Sequence, residues 1–272
     1  ILSLAGVQSA VVSLAGVSGA GKTLAARAAL SIYGQPQHLM QGAVATPTGV
    51  EIQLSTHRHV PFLLDEVTDM PVHRLTDFIY LAANGVGKGA ATRNREMRET
   101  GRWQLTPFVS SNRPLLEFRD RDVQEAHRRR LLELFFPSEM PRALGAQLHS
   151  GIEANAGSPA EPYFKALCAI KDDIPDMYER VREWVLRQAK LPDANRFALW
   201  TITAAIVGGT IAKALGLIDF DPKRVALVAL RAVEDAALAT EHDHERAPQA
   251  VKEWLAQESQ RVCRWQENTR GA

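Results

Sequence analysis

The chain has little cysteine. Its 272 residues include two, Cys168 and Cys263, far apart in sequence and without a second cysteine or a histidine at metal-ligand spacing. This excludes a disulfide framework and a Cys/His zinc module, and makes a reduced, cytoplasmic setting the expectation. No internal repeat or signal-peptide pattern is present, and no apolar run approaches the roughly 18–20 residues of a membrane span, so no membrane partner is expected. Ser18 and Ser110 lie outside any G-x-S-x-G elbow, which removes hydrolase chemistry of that kind. The histidines are scattered, and His57 and His59 read as a pair on a strand face. Net charge is only +1, so contact with nucleic acid has to be argued from local clusters. With 46% hydrophobic and 23% charged residues, the chain can build a sizeable core. It begins at Ile1, not Met, and its first residues lead almost directly into a strand, which reads as a fragment of a longer protein.

The stretch Gly16-Val17-Ser18-Gly19-Ala20-Gly21-Lys22-Thr23 fits G-x-x-x-x-G-K-[ST], a phosphate-cradling P-loop. The apolar run Ala10–Ala15 before it reads as a buried strand, and Leu24–Leu30 after it as a helix. Strand, glycine turn and helix N-terminus converge backbone N–H groups and a favourable dipole on an anion. Lys22 is positioned for the β- and γ-phosphates of ATP, and Thr23 for Mg²⁺.

Three further features follow in order. Val60–Leu64 is a second buried strand, ending in Asp65 and Glu66. Ligands of open α/β sheets bind at that carboxyl edge; Asp65 is the Mg²⁺-side carboxylate and Glu66 the group that orients or deprotonates water. Leu105–Ser110 is a third strand and leads to Ser111 and Asn112, whose neutral amide can hold the lytic water near a γ-phosphate. His127-Arg128-Arg129-Arg130 precede a fourth strand, 131–136. A guanidinium here can stabilise charge on a transferring phosphoryl group, with Arg129 and Arg130 both open as the finger.

Strands alternating with helices define an α/β core with a mainly parallel sheet over 1–145. Residues 42–57 read as mixed with a short helix, 73–83 as a helix, and 90–105 as a β-hairpin or exposed loop. From 146 to 272 the pattern is all-helical, with helices over 162–190, 193–216 and 222–240 and an amphipathic tail over 241–272.

The order of P-loop, Leu64-Asp65-Glu66, Ser110-Ser111-Asn112-Arg113-Pro114 and Arg129-Arg130-Leu131-Leu132 resembles AAA+ ring ATPases. Its spacing is similar to superfamily 3 and poxvirus-type replicative helicases of phages and mobile elements, across roughly residues 10–235. Thr46–Glu51, Ile79–Gly89, Asn195–Ala198 and Ala214–Leu217 extend the likeness. The resemblance implies an ATP- and Mg²⁺-dependent motor in a ring, expected to be a hexamer, within a bacterial host. It implies an arginine lent to the neighbour's nucleotide, and a replication domain upstream. It also implies that a hairpin between the second and third strands grips single-stranded DNA. Lys88, Arg93, Arg95 and Arg98 are the candidate contacts there; Trp103 reads as the hairpin's core anchor in preference to a base-stacking residue. The runner-up is an ATP-switched DNA-binding initiator or loader that does not translocate. No clear lid arginine is present: Arg196 is the candidate, with an ordinary helix-surface arginine the favoured reading of it.

Overall fold

A computed structural model describes residues 1–43, 46–87, 100–116, 129–189 and 195–235. Lys88, Arg93, Arg95, Arg98 and Arg128 lie outside the described residues, as does the proposed tail helix. Five strands form one sheet: β1 (Val11–Gly16), β2 (Met40–Gly42), β3 (Phe62–Asp65), β4 (Pro107–Ser111) and β5 (Leu131–Phe136). Their spatial order is β2-β3-β4-β1-β5 and every pairing is parallel. All the carboxyl ends therefore open on one edge. Placing β4 between β1 and β3 sets the strand that ends near Asn112 directly between the P-loop strand and the Asp65-Glu66 strand.

β1 is buried along its whole length, as a central parallel strand with both faces covered should be. Val12, Leu14, Leu63 and Leu132 face one core layer, together with Ala26 and Leu30 of α1 (Lys22–Ser31). Val11, Phe62, Leu64, Val109 and Leu131 face the other. Val50 and Leu54 of α2 (Pro47–His57) and Leu75, Phe78 and Ile79 of α3 (Val72–Asn84) complete that layer. α2 starts where Thr46 accepts the Gly49 N–H at 3.1 Å and Pro47 takes the first helical position, a favourable start on both counts. The helix runs on to His57, which stacks on Phe62 with ring centroids 5.8 Å apart. His57 and His59 are thus a helix end and a turn residue, not a strand pair.

The helical part consists of α4 (Arg142–Asn155), α5 (Ala160–Ala169), α6 (Ile174–Gln188), α7 (Arg196–Ala214) and helical residues 222–235. The expected helix over 162–190 is broken between α5 and α6 by a 3-10 turn, Lys171–Asp173. The break lets Ile174 and Tyr178 turn into a cluster with Leu2, Ala204, Val207 and Ile211. α7 is apolar nearly all round, the pattern of a core helix. By length and composition it is long and apolar enough to cross a membrane, which the sequence reading did not credit, and 56% of that window is buried in protein. Thr201 on α7 accepts the Ala10 N–H at 2.7 Å, fixing the helix to the amino end of β1. The sheet and α1–α7 fall within one compact unit, Ile1–Val233.

Candidate nucleotide site

β1 delivers Gly16 to the carboxyl edge with φ 144°, where a Cβ would run into the Phe136 carbonyl of β5; only glycine permits this approach. Gly21, at φ 85°, caps α1 in the left-handed region. The turn leaves Lys22 buried, with its Nζ donating to the carbonyls of Gly16 (2.9 Å) and Val17 (2.7 Å) and to Asn112 Oδ1 (3.1 Å). Burial lowers the Lys22 pKa from the ordinary lysine value, while the Asp65 charge works the other way. The ammonium is thus folded onto neutral acceptors and held beside the Asn112 amide.

Thr23 Oγ1 donates to Asp65 Oδ1 at 3.1 Å. Ser110 Oγ donates to the same oxygen at 2.5 Å and accepts the Glu66 N–H at 2.9 Å. One buried hydroxyl therefore bridges Asp65 and the backbone of Glu66. Glu66 sits at φ 58°, ψ 53°, a left-handed conformation rare for a residue with a side chain. Next along, Thr68 Oγ1 accepts the Asn112 N–H at 2.9 Å and its carbonyl accepts from Arg113 at 3.2 Å. The loops after β3 and β4 are stitched together at each step.

These elements surround a cavity of about 390 Å³, lined among others by Ser18, Gly19, Gly21, Lys22 and Thr23 from the P-loop and α1 and by Glu66 and Asn112. Ala20 is buried behind the loop. Sequence reasoning missed Ser110 as a bridge and Thr68 as a clamp, because both act through pairings between strands. It also missed Arg142, which lines the same cavity.

The structure does not bring Arg129, Arg130 or Arg196 to this cavity. The Val11 N–H donates to the Arg130 carbonyl at 2.8 Å, so Arg130 stands at the amino end of β5. The P-loop is at the other end, about 20 Å away at the rise of a strand. The Arg130 guanidinium lies 4.9 Å from the ring centroids of both Tyr80 and Phe197. Burial, and secondarily the nearby Arg196 charge, lower its pKa, with Tyr80 opposing. Arg196 stacks over Phe197 and Trp200 in the same region. Arg129, by contrast, is exposed.

Only the base of the basic segment is described. Val86 and Arg102 form an antiparallel bridge, and Gly87 and Trp103 donate to the Gly101 and Gly85 carbonyls. Trp103 is buried and its indole N–H donates to the Ala82 carbonyl at 3.0 Å, the role of an anchor.

A family model described as "Domain of unknown function (DUF927)" matches residues 1–102. No curated protein matches the chain. Among solved structures the chain is similar to one described as "SCCmec type IV Cch - active helicase". The TM-score is 0.66 at 18% identity, over 92% of this chain. The chain spans about half, 46%, of that helicase's length. The likeness is one of fold: a P-loop, helicase-like α/β domain with a helical C-terminal part.

Proposed function

We propose that this chain is the ATPase motor of a replicative DNA helicase of the phage or mobile-element type, working as a ring on single-stranded DNA. The observation that carries this reading is the convergence of Lys22, Thr23, Glu66 and Asn112 on one cavity, with Asp65 hydrogen-bonded to Thr23. Its volume suits a small-molecule ligand. The oxygen pair of Thr23 and Asp65 suits Mg²⁺, which takes one or two protein oxygens and completes its shell with phosphate and water. When bound, Mg²⁺ would supply charge neutralisation between the phosphates.

The chain's own groups divide the remaining work. The α1 N-terminus and P-loop N–H groups orient the triphosphate, and Lys22 leaves its backbone acceptors to meet it. Glu66 accepts the proton of the attacking water, and Asn112 holds that water without adding negative charge. Arg129 acts in trans: the end of the sheet remote from its own cavity is where a residue meant for a neighbour's site belongs. Lys88, Arg93, Arg95 and Arg98, in the basic stretch between Val86 and Arg102, contact the DNA phosphates, giving sequence-independent, salt-sensitive binding.

The test is steady-state ATP hydrolysis with and without single-stranded DNA, together with displacement of a strand from a forked duplex. The motor predicts turnover stimulated by DNA and ATP-dependent displacement. Turnover indifferent to DNA, with ATP still driving assembly on it, would select the initiator or loader instead.

A further inference from the structure

After β5 the chain doubles back over the P-loop. The Val17 N–H donates to the Phe136 carbonyl at 3.3 Å and the Met140 N–H to the Gly19 carbonyl at 3.0 Å. The Met140 methyl occupies the space a Cβ on Gly21 would need. This strap ends at Pro141, the N-cap of α4, and makes Arg142 the first residue of that helix.

Two observations single out Arg142. It lines the phosphate cavity together with Lys22, Glu66 and Asn112, yet among the described residues its guanidinium has no hydrogen bond or ion pair. It also stands in the first turn of α4, where a cation opposes the helix dipole, and that turn carries no acidic residue to offset it. An anion in the cavity would supply the missing partner, and a guanidinium's planar fork suits phosphate oxygens.

We propose that Arg142 is a same-chain ligand of the nucleotide's phosphates, held over the P-loop by the strap. This rests on the nucleotide-site reading above. Arg142 adds a second protein cation from an element other than α1. Because Met140 is bonded to Gly19, the start of α4 is tied to whatever fills the cavity.

The test is calorimetric affinity for Mg·ATP, on the full chain, for the parent, Arg142→Ala, Arg142→Lys and Lys22→Ala. Melting of each is also recorded without nucleotide. Arg142→Ala is expected to bind about tenfold more weakly, Arg142→Lys by a smaller factor, and both to melt like the parent because the residue is exposed. If Lys22→Ala loses binding while Arg142→Ala binds within twofold of the parent, the inference is overturned and the site stands. If Lys22→Ala binds like the parent, the nucleotide-site reading itself has failed. A fall in affinity matched by a large fall in melting, without rescue by lysine, makes Arg142 a structural residue and overturns the proposal.

Discussion

The hydroxyl of Ser110 offers a test of how the site is held together. It donates to Asp65 at 2.5 Å and accepts from the Glu66 N–H at 2.9 Å, on a residue only 2% exposed. In Ser110→Ala both bonds go, while Asp65 keeps its bond from Thr23. A buried, orphaned N–H costs about 1–3 kcal/mol, and the exposure of Glu66, which lets water reach its backbone, puts the loss at the low end, about 1 kcal/mol. Glu66 also holds a left-handed conformation at φ 58°, which costs roughly 1–2 kcal/mol for a residue with a Cβ. Once its N–H is untied, that cost is no longer offset, and the residue relaxes toward ordinary backbone angles. Together these terms come to about 2 kcal/mol, and 1.4 kcal/mol is a decade in an equilibrium. The catalytic placement of Glu66 should fall by roughly ten- to thirtyfold. The assay is steady-state ATP hydrolysis with a parallel nucleotide-binding titration. Turnover should drop about that far while ATP affinity stays within about threefold. Unchanged turnover would refute the claim that Ser110 holds Glu66 in place.

Arg130→Ala should lower the melting midpoint by several degrees in calorimetry, because two ring contacts at 4.9 Å are each worth about 0.5–2 kcal/mol. Arg129→Ala should leave melting unchanged and reduce turnover, with recovery in oligomers mixed with a Lys22→Ala subunit; equal melting of the two variants would contradict this division. Lys88→Ala and Arg93→Ala should each weaken single-strand binding and flatten its salt dependence by about one unit of log–log slope, with ATP affinity unchanged. For Lys22, burial holds the pKa below the ordinary lysine value in the free chain, and a phosphate favours the charged form. Nucleotide binding should therefore take up protons at alkaline pH and progressively less toward neutrality. Calorimetry in buffers of differing ionisation heat would expose the opposite sign, proton release, and with it an error in the placement of Lys22.

Legibility in the sequence followed from how each segment buries its side chains. β1, β3, β4 and β5 are mostly apolar runs, ended by Gly16, Asp65, Ser110-Ser111 and Pro137, so both their existence and the edge carrying Lys22, Asp65, Glu66 and Asn112 could be read directly. β2 has three residues, Met40–Gly42, with none fully buried, and only its pairing with β3 makes it a strand. α4 escaped because its surface is exposed almost throughout, with Ile152 alone fully buried, so no apolar stripe marks it. The turn between α5 and α6 itself contains no glycine or proline, but Pro175 in the first turn of α6 is a local mark of a new helix start, and the bend there buries Ile174 and Tyr178 against α7. At the site, residues whose role is set by a motif were visible, whereas Ser110 and Thr68 act across strands. Arg142 did leave one trace: a proline followed by a cation at a helix start runs against the dipole preference.

The central claim is that Lys22 and Glu66 serve one phosphate in one cavity, the first by binding and the second by activating water. Glu66→Gln separates the two functions most directly, measured as Mg·ATP affinity and single-turnover hydrolysis on the same preparation. The account predicts affinity within about threefold of the parent and hydrolysis slowed at least a hundredfold, with ATP retained on the protein. Parent-like hydrolysis by Glu66→Gln, or loss of binding together with hydrolysis, would contradict it.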